Sequence, residues 1–424
     1  MLSKNRRIDV RWMCSCLAVL IAGFVLVACG AQGDSSSGDS GVTDVEKASA
    51  VTTTIPKSGC GAVATPAPED PDGVLASLPE TYKQGYAGFQ LPVNKSPWSD
   101  FKPDHGPPYK VGLAYANVQP GFQTDMYNGL KKALDGDPNI ELSAIATGDA
   151  LNIPQQIQNY NSLLNKEPDI MIVEPLTDAF GPAVDKAAKQ GVPTVSFQGN
   201  TSSENAVNVS INAYNTGATL ASTVFRQMGG KGNLLFTHAI ASIDIDKDRT
   251  DVTKAALKNC PGIKLVGEIA GGFDSSTAKA ETIKFLATHP EKIDGVLQVG
   301  QMATGIISGF EQSGRPMPAM DTGADKGALG YWDKHQDSFV GVGSGFNTPE
   351  YANSIASIVK RMLAGHGVKV DQITQGMPTF TADTLDQWAE PGWNLRTPGN
   401  ASGPGGNFLT EDYIAGLFND PKPG

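Results

Sequence analysis

Several residue patterns that usually accompany metal binding or catalysis are missing from this sequence of 424 residues. The five histidines are scattered, without an HxxxH pair or a Cys/His spacing suited to zinc. No GxSxG motif marks a nucleophile elbow. The stretch MGGKGNLL holds glycines and a lysine, but they precede an apolar run, whereas a phosphate-binding loop follows its strand. The sequence therefore predicts no metal, no cofactor and no catalytic residue.

Positive charge is also scarce, since the formal net charge is -11. The first 28 residues carry four basic side chains and one acidic side chain, so the remainder of the chain has a formal charge of -14. This balance argues against nucleic acid or an anionic membrane surface as a partner. With 40% hydrophobic residues, the remainder is long enough to bury a large core, and we expect two domains.

Only one long apolar run is present, Cys16–Ala28, and it follows a basic start. It is shorter than the roughly 20 residues of a membrane span and is typical of a signal-peptide core. The stretch LVAC, residues 26–29, resembles the bacterial lipoprotein box, which implies cleavage before Cys29 and a lipid on its sulfur. The alternatives are a plain secretory signal and an uncleaved anchor helix. We expect residues 1–28 to be a signal peptide and the protein to be extracytoplasmic, anchored to the bacterial cell membrane through Cys29.

Cysteine is scarce as well. Once Cys14 and Cys16 leave with the signal peptide, Cys60 and Cys260 are the only cysteines besides Cys29. In an extracytoplasmic protein these two could form a disulfide, or they could be unrelated thiols. The sequence leaves both alternatives open.

Composition divides the rest of the chain into three zones. Residues 29–107 are rich in Ser, Thr, Pro and Gly without sustained periodicity, which predicts a flexible tether and an N-terminal extension. From Lys110 to about Asp386, short apolar runs such as KVGLAYA, DIMIVEP and DGVLQVG alternate with helical stretches. This alternation predicts an α/β fold with parallel sheets covered by helices on both faces. Residues 391–424 form a loop-rich C-terminal extension, with a short helix expected at EDYIAGLF.

The middle zone resembles the type I periplasmic binding proteins of the ribose-binding branch, the substrate-binding subunits of ABC importers. The resemblance rests on the order and spacing of VGLAYANVQPGFQTDMYNGLKKAL, PDIMIVEPLTDAFGPAVDKAAKQGVPTVSF, HPEKIDGVLQVGQMATGIISGFEQSG and PAMDTGADKGALGYW. It implies two doubly wound parallel-sheet lobes joined by a three-segment hinge, with a cleft at the carboxyl ends of the strands. By this resemblance the first lobe is 108–213 plus 347–376, and the second is 214–346 plus 377–390.

The same resemblance assigns ligand-binding residues to the cleft. Amides and carboxylates hydrogen-bond sugar hydroxyls, and aromatic planes match the C–H faces of a sugar ring. Arg249 aligns with an arginine that donates two hydrogen bonds to sugar oxygens, Phe273 with a stacking aromatic, and Asp321 with an accepting carboxylate. The full set of assigned residues is Asn117, Phe122, Gln123, Gln198, Asn200, Arg249, Phe273, Gln301, Asp321 and Asn347.

The sequence departs from the family pattern at one clear place. Relatives that bind sugars usually have Asp-Arg where this chain has Gln198-Gly199, so one carboxylate and one guanidinium are missing. This difference argues against ribose or another ordinary aldopyranose as the ligand. Some assignments also have a purely structural alternative: Arg249 could pair with Asp246 or Asp248 on a solvated helix turn.

Together these features predict a monomeric solute-binding subunit that delivers a small neutral carbohydrate or polyol to an ABC importer. Its partners would be that solute, the permease subunits and, through the lipid, the membrane. An alternative within the same fold is a receptor for a furanosyl signal or another non-sugar solute. An extracytoplasmic enzyme acting on glycans would need a pair of catalytic carboxylates, and the sequence places only Asp321 in the cleft. The long extensions at both ends have no role assigned by the resemblance.

Overall fold

The computed structural model describes residues 53–118, 121–148 and 152–420, so the predicted signal peptide and Cys29 lie outside the described residues. No helix in these ranges is long and apolar enough to cross a membrane. The strands found there are, in chain order, β1 Tyr109–Tyr115, β2 Ile140–Ala146, β3 Ile170–Val173, β4 Thr194–Phe197, β5 Ala206–Ile211, β6 Gly232–His238, β7 Ile263–Ala270, β8 Gly295–Gln298, β9 Ala319–Asp321, β10 Gly341–Ser344, β11 Gln372–Gln375 and β12 Thr379–Phe380.

Helices alternate with these strands along most of the chain, as the sequence predicts. Short 3₁₀ segments supplement them, two of which flank the first helix in the N-terminal extension. The α-helices found in the described ranges are α1 Glu80–Lys83, α2 Phe122–Asp135, α3 Ile153–Leu164, α4 Gly181–Ala188, α5 Ala213–Gln227, α6 Asp244–Lys258, α7 Ser275–Thr288, α8 Ala303–Gln312, α9 Lys326–Lys334, α10 Thr348–Leu363 and α11 Glu411–Gly416.

The strands form two six-stranded sheets. The first has the order β2-β1-β3-β4-β5-β11 and is parallel throughout. The second has the order β7-β6-β8-β9-β10-β12, with β12 antiparallel to β10 and the other neighbours parallel. Strands β3 and β4 are buried along their whole length, because helices cover both faces of a doubly wound sheet. The predicted fold class, two parallel-sheet α/β lobes, is confirmed.

The chain passes between the two sheets at three places. Strand β5 belongs to the first sheet, but α5, which follows Asn212, packs against β8, β9 and β10 of the second. Helix α10 follows β10 of the second sheet and packs on α2 of the first lobe. The third passage runs from β11 through Gly376 to β12. These three segments form the hinge between the lobes.

Each lobe has its own hydrophobic core, and the extensions contribute to both. Val63 and Ala401 are buried in the core of the second lobe. Tyr86, Val93 and Leu409 are buried in the core of the first. The described part of the predicted N-terminal tether, from residue 53 onwards, is therefore packed against the lobes. The tethering role can apply only to residues that precede it.

The two cysteines whose pairing the sequence does not decide are joined in the structure. Cys60 and Cys260 form a disulfide with an S–S distance of 2.00 Å. Cys260 follows α6 of the second lobe, so the bond fixes the N-terminal extension to that lobe. The neighbouring backbone reinforces it, since Asn259 Nδ2 donates to the carbonyl of Ala62 at 2.7 Å.

Candidate functional site

Two buried side chains of opposite charge, whose charges interact, lie in the second lobe where the resemblance places ligand contacts. Asp321 ends strand β9 and is 2% exposed, while Arg249 on α6 is 5% exposed. Burial raises the pKa of Asp321 to about 6, although the charge of Arg249 opposes this shift. The Nε of Arg249 has no hydrogen-bond partner among the described residues. A buried guanidinium with an unused donor is suited to binding an acceptor oxygen.

The Asp321 carboxylate is held in place by its own loop and by the neighbouring strand. Its Oδ1 accepts from the backbone N–H of Gly323 at 3.0 Å. The backbone carbonyl of Asp321 accepts from Nε2 of Gln298, at the end of β8, at 3.1 Å. The side chain of Gln298 is itself held, because its Oε1 accepts from the N–H of Met302 at 2.8 Å. The acceptor is therefore fixed before any ligand arrives, which lowers the entropic cost of binding. The sequence did not identify Gln298, because it reads as an ordinary strand residue.

An exposed aromatic ring lies at the edge of the same lobe. Phe273, in the loop between β7 and α7, is 43% exposed and has a left-handed backbone conformation, with φ at 59°. Its ring lies against Gly300, where an added Cβ would be 2.5 Å from the ring. Gln301, the next residue, is half-buried. The glycine therefore admits a ring that stays accessible to a ligand instead of joining a core.

In the first lobe, Gln123, expected on the loop after β1, lies in the first turn of helix α2 and joins a hydrogen-bond network. Gln123 Oε1 accepts from the hydroxyl of Tyr115 at 2.6 Å, and its Nε2 donates to Oε1 of Glu174 at 2.9 Å. Glu174 is 1% exposed, and burial raises its pKa to about 7, against the hydrogen bonds from Gln123 and Ala116. Asn117, which follows Tyr115 and Ala116 in the sequence, is also buried. The amide of Gln123 is thus used within the lobe, and Glu174 was not among the predicted residues.

Phe122, the other residue predicted on this loop, opens helix α2 and is half-buried. Its ring meets that of Phe346 edge to face, with centroids 5.9 Å apart. Phe346 lies on the hinge segment before α10 and also stacks on Phe408 of the C-terminal extension. Phe122 is therefore part of an aromatic cluster that reaches from the loop to the hinge.

The loop after β4 explains the departure at Gln198-Gly199. A Cβ at Gly199 would lie 1.8 Å from the carbonyl oxygen of Pro175, so no side chain fits there. Gln198 adopts a left-handed conformation with φ at 65°, and its N–H donates to the carbonyl of Val209 at 3.0 Å. Asn200 follows, and its Oδ1 is buried without a hydrogen-bond partner in the described residues. Asn200 therefore offers an unused acceptor where the missing Asp-Arg pair would act.

Both the oxygen and the nitrogen of the Asn347 side-chain amide already make hydrogen bonds within the protein. Its Oδ1 accepts from the N–H of Glu350 and caps helix α10, a common role for asparagine. Its Nδ2 donates to the carbonyl of Gly403, in the C-terminal extension, at 3.0 Å. A ligand would have to displace one of these bonds, so its assignment as a ligand contact remains a prediction that the geometry does not favour.

Acidic residues surround Arg249 on helix α6. Asp246 accepts from the N–H of Ala239 at 2.7 Å and pairs with Nδ1 of His238 at 2.6 Å, so it is not the partner of Arg249. Burial raises the pKa of Asp248 to about 7, with Asp244 adding to the shift and Arg249 opposing it. Asp248 therefore belongs to the same electrostatic environment as Arg249 and Asp321. The stretch DIDKDRTD shows that several carboxylates neighbour Arg249, but the sequence alone does not show which of them faces inward.

Comparison with known proteins identifies the family and the fold. A model described as the periplasmic binding protein domain matches residues 111–367. No curated protein matches the chain. An ABC transporter solute binding protein from Thermobispora bispora is 22% identical with a TM-score of 0.59, covering 67% of this chain and 88% of that one.

Two further solved structures are similar over the same part of the chain. One, from Bacillus halodurans, has bound myo-inositol and is 18% identical, with a TM-score of 0.60 and coverage of 67% and 98%. Another, from Actinobacillus succinogenes, has bound D-allose and is 17% identical, with a TM-score of 0.58 and coverage of 66% and 99%. With two α/β lobes, a three-segment hinge and a family match over most of its length, this chain belongs to the periplasmic binding protein family of type I fold.

Proposed function

We propose that this protein is a monomeric solute-binding subunit of an ABC importer and captures a small neutral carbohydrate or polyol between its lobes. The observation that carries the proposal is the burial of Arg249 and Asp321, whose opposite charges interact, together with the unused donor on Nε of Arg249. The two opposite charges compensate each other, so the pair suits hydroxyl groups, which both donate and accept. A charged solute would leave one member of the pair uncompensated.

Further groups support a polyhydroxyl ligand. The ring of Phe273 offers an accessible apolar plane, and the buried Oδ1 of Asn200 offers an acceptor. Asn117 and Gln301 follow the carboxyl ends of β1 and β8, the edge of a parallel sheet where ligands bind. Relatives of the same fold have bound myo-inositol and D-allose, a cyclitol and a sugar without charge. The proposal assigns no reaction to these residues.

Binding would be coupled to rotation of the lobes about the hinge. A solute that contacts both carboxyl edges stabilises the closed arrangement, and closure presents a different surface to the permease. The dense hydrogen bonding of a closed cleft supplies the affinity, because water no longer competes for the donors and acceptors.

A thermal-shift screen of the purified chain tests this function. The panel contains neutral aldoses, ketoses, cyclitols and linear polyols, with uronic acids and amino sugars as charged counterparts. A ligand that binds only the folded state stabilises it by about 2.7 kcal/mol at a hundredfold excess over Kd. We expect a clear rise in melting temperature with one neutral class. A rise with charged solutes alone, or no rise with any solute, would reject the neutral-carbohydrate function.

We also propose that Cys29 carries a lipid that holds the protein at the outer face of the cell membrane. The LVAC stretch and the polar residues after it support this anchor. The test is fractionation of cells that express Cys29→Ser, with Cys16→Ser as a matched control inside the apolar run. We expect the Cys29 variant to leave the membrane fraction and the control to remain there. Retention of both variants in the membrane fraction would contradict lipid attachment at Cys29.

A further inference from the structure

The N-terminal extension is attached to both lobes. On the second lobe it is fixed by the Cys60–Cys260 disulfide and by burial of Val63 in the core. On the first lobe, the hydroxyl of Tyr86 donates to the carbonyl of Gln372 at 2.7 Å. The extension therefore crosses from one lobe to the other outside the three hinge segments.

The same extension also contacts the hinge itself. Nδ2 of Asn212, at the first passage between the lobes, donates to the carbonyls of Gly85 and Ala87, each at 3.0 Å. Nδ2 of Asn215 donates to the carbonyl of Ala87 at 3.1 Å. A change in the backbone at Asn212 must alter these bonds, because Gly85 and Ala87 flank Tyr86, which is fixed in the core of the first lobe.

The C-terminal extension makes a second crossing, also from the second lobe to the first along the chain. Ala401 donates its N–H to the carbonyl of Ala324 in the second lobe at 2.8 Å. Two residues later, Gly403 accepts from Asn347 at the second hinge passage. Gly406 then donates to Oε2 of Glu350 on α10 of the first lobe at 2.7 Å.

Beyond this point the C-terminal extension is anchored in the first lobe. Leu409 is fully buried in its core, and its N–H donates to Oε1 of Gln375, at the third hinge passage, at 3.1 Å. The hydroxyl of Tyr413 donates to the carbonyl of Thr374 at 2.8 Å. All three hinge passages are thus in contact with one extension or the other.

We propose that the two extensions are straps that limit the rotation of one lobe against the other. The C-terminal strap is short, because five residue steps from Ala401 to Gly406 can span at most about 18 Å. Its Ala401 end is buried, and its Gly406 end is held by the hydrogen bond to Glu350 and by burial of Leu409 further along the chain, so opening of the cleft is limited by the slack in this segment. The lobes are joined by five chain segments, and a rotation must be accommodated in all of them. The straps lie outside the matched family range of 111–367.

The experiment measures the distance between the lobes in the ligand-free protein. Spin labels are attached at Gln158→Cys on α3 and Ala280→Cys on α7, two exposed positions on different lobes. The strap is lengthened by a Gly-Ser linker of about six residues after Ser402, which is exposed. The control is the same linker after Pro316, in an exposed loop within the second lobe. No solute is present, so the result does not depend on the proposed function.

We expect the linker after Ser402 to broaden the distance distribution and shift its mean, and the linker after Pro316 to leave both unchanged. Identical distributions for the two insertions would overturn the proposal. If the insertion at Ser402 prevents folding, the combined change Cys60→Ser and Cys260→Ser releases the N-terminal strap from the second lobe. The same broadening is then expected, and an unchanged distribution in that variant would overturn the proposal equally.

Discussion

Replacing Arg249 by methionine should weaken binding of the solute by at least about a hundredfold. A hydrogen bond to a charged group contributes about 1.5–3 kcal/mol, and Arg249 is assigned two of them. Methionine retains most of the aliphatic volume that packs against Gly217, so the loss reflects the guanidinium. Titration calorimetry of the unmodified and variant proteins with the best solute from the screen gives the ratio of the two Kd values.

The variant needs a control for general effects of removing an arginine. Arg396→Met removes the same charge from an exposed position in the C-terminal extension, and we expect its Kd to equal that of the unmodified protein. Removal of Arg249 also leaves Asp321 without its opposite charge, so the melting temperature of the variant is measured first. An Arg249→Met protein that folds and binds with unchanged Kd would remove Arg249 from the site.

The second large effect concerns the dependence of stability on pH, through Glu174. The pKa of this carboxyl is about 7 in the folded protein, against its ordinary value of 4.5, because burial disfavours the charged form. The folded state therefore holds the proton more tightly than the unfolded state. This contribution to stability is fully present below about pH 4.5 and is lost as the pH rises through about 7.

Glu174→Gln should remove that part of the pH dependence. Between about pH 5 and pH 8, the free energy of unfolding of the variant should fall by up to about 3 kcal/mol less than that of the unmodified protein. Comparing the two pH values cancels most of the change in hydrogen bonding to Gln123 and Ala116. Urea unfolding at each pH provides the measurement. Burial also raises the pKa of Asp321 and of Asp325, so part of the pH dependence remains in the variant.

A matched control distinguishes burial from the simple loss of a carboxylate. Glu141 on β2 is exposed, and Glu141→Gln should leave the pH dependence of the unmodified protein intact. Equal pH profiles for the unmodified protein and Glu174→Gln would show that Glu174 ionises normally in the fold. In that case burial in the network of Tyr115, Gln123 and Glu174 would not raise the pKa of Glu174.

The alternation of strands and helices could be predicted because the buried central strands are short apolar runs separated by helical stretches. The central strand β3, with the sequence IMIV, is a continuous apolar run because it is buried on both faces, and β4, TVSF, departs from such a run only at its polar residues. The antiparallel strand β12 has only two residues and gives no such signal. Short edge strands are defined by their neighbours, not by their own sequence.

The candidate site was only partly accessible to sequence reasoning. Arg249 and Asp321 could be named because their spacing follows the family pattern, and the structure buries both where their charges interact. Gln123 and Asn347 have the right residue type, but their amides are used in local hydrogen bonds. Residue type alone cannot show whether a side chain is already satisfied. Glu174 was missed because a lone carboxylate at a strand end is common.

The packing of the extensions could not be inferred from their composition. Segments rich in Ser, Pro and Gly lack periodicity whether they are free or packed, because their backbone bonds are made in short turns and to other segments, not in long regular elements. The few apolar anchors, such as Tyr86 and Leu409, are too widely spaced to predict their partners. The disulfide likewise joins residues 200 positions apart, a pairing that depends on the tertiary fold.

The most direct test of the central claim is calorimetric titration of the purified protein with neutral sugars and polyols, in parallel with their uronic acid and amino sugar counterparts. We expect saturable binding of at least one neutral solute, with one site per chain, and no saturable binding of the charged counterparts. Saturable binding of charged solutes only, or no binding across the neutral set, would contradict a cleft built around a charge-compensated pair for a neutral carbohydrate or polyol.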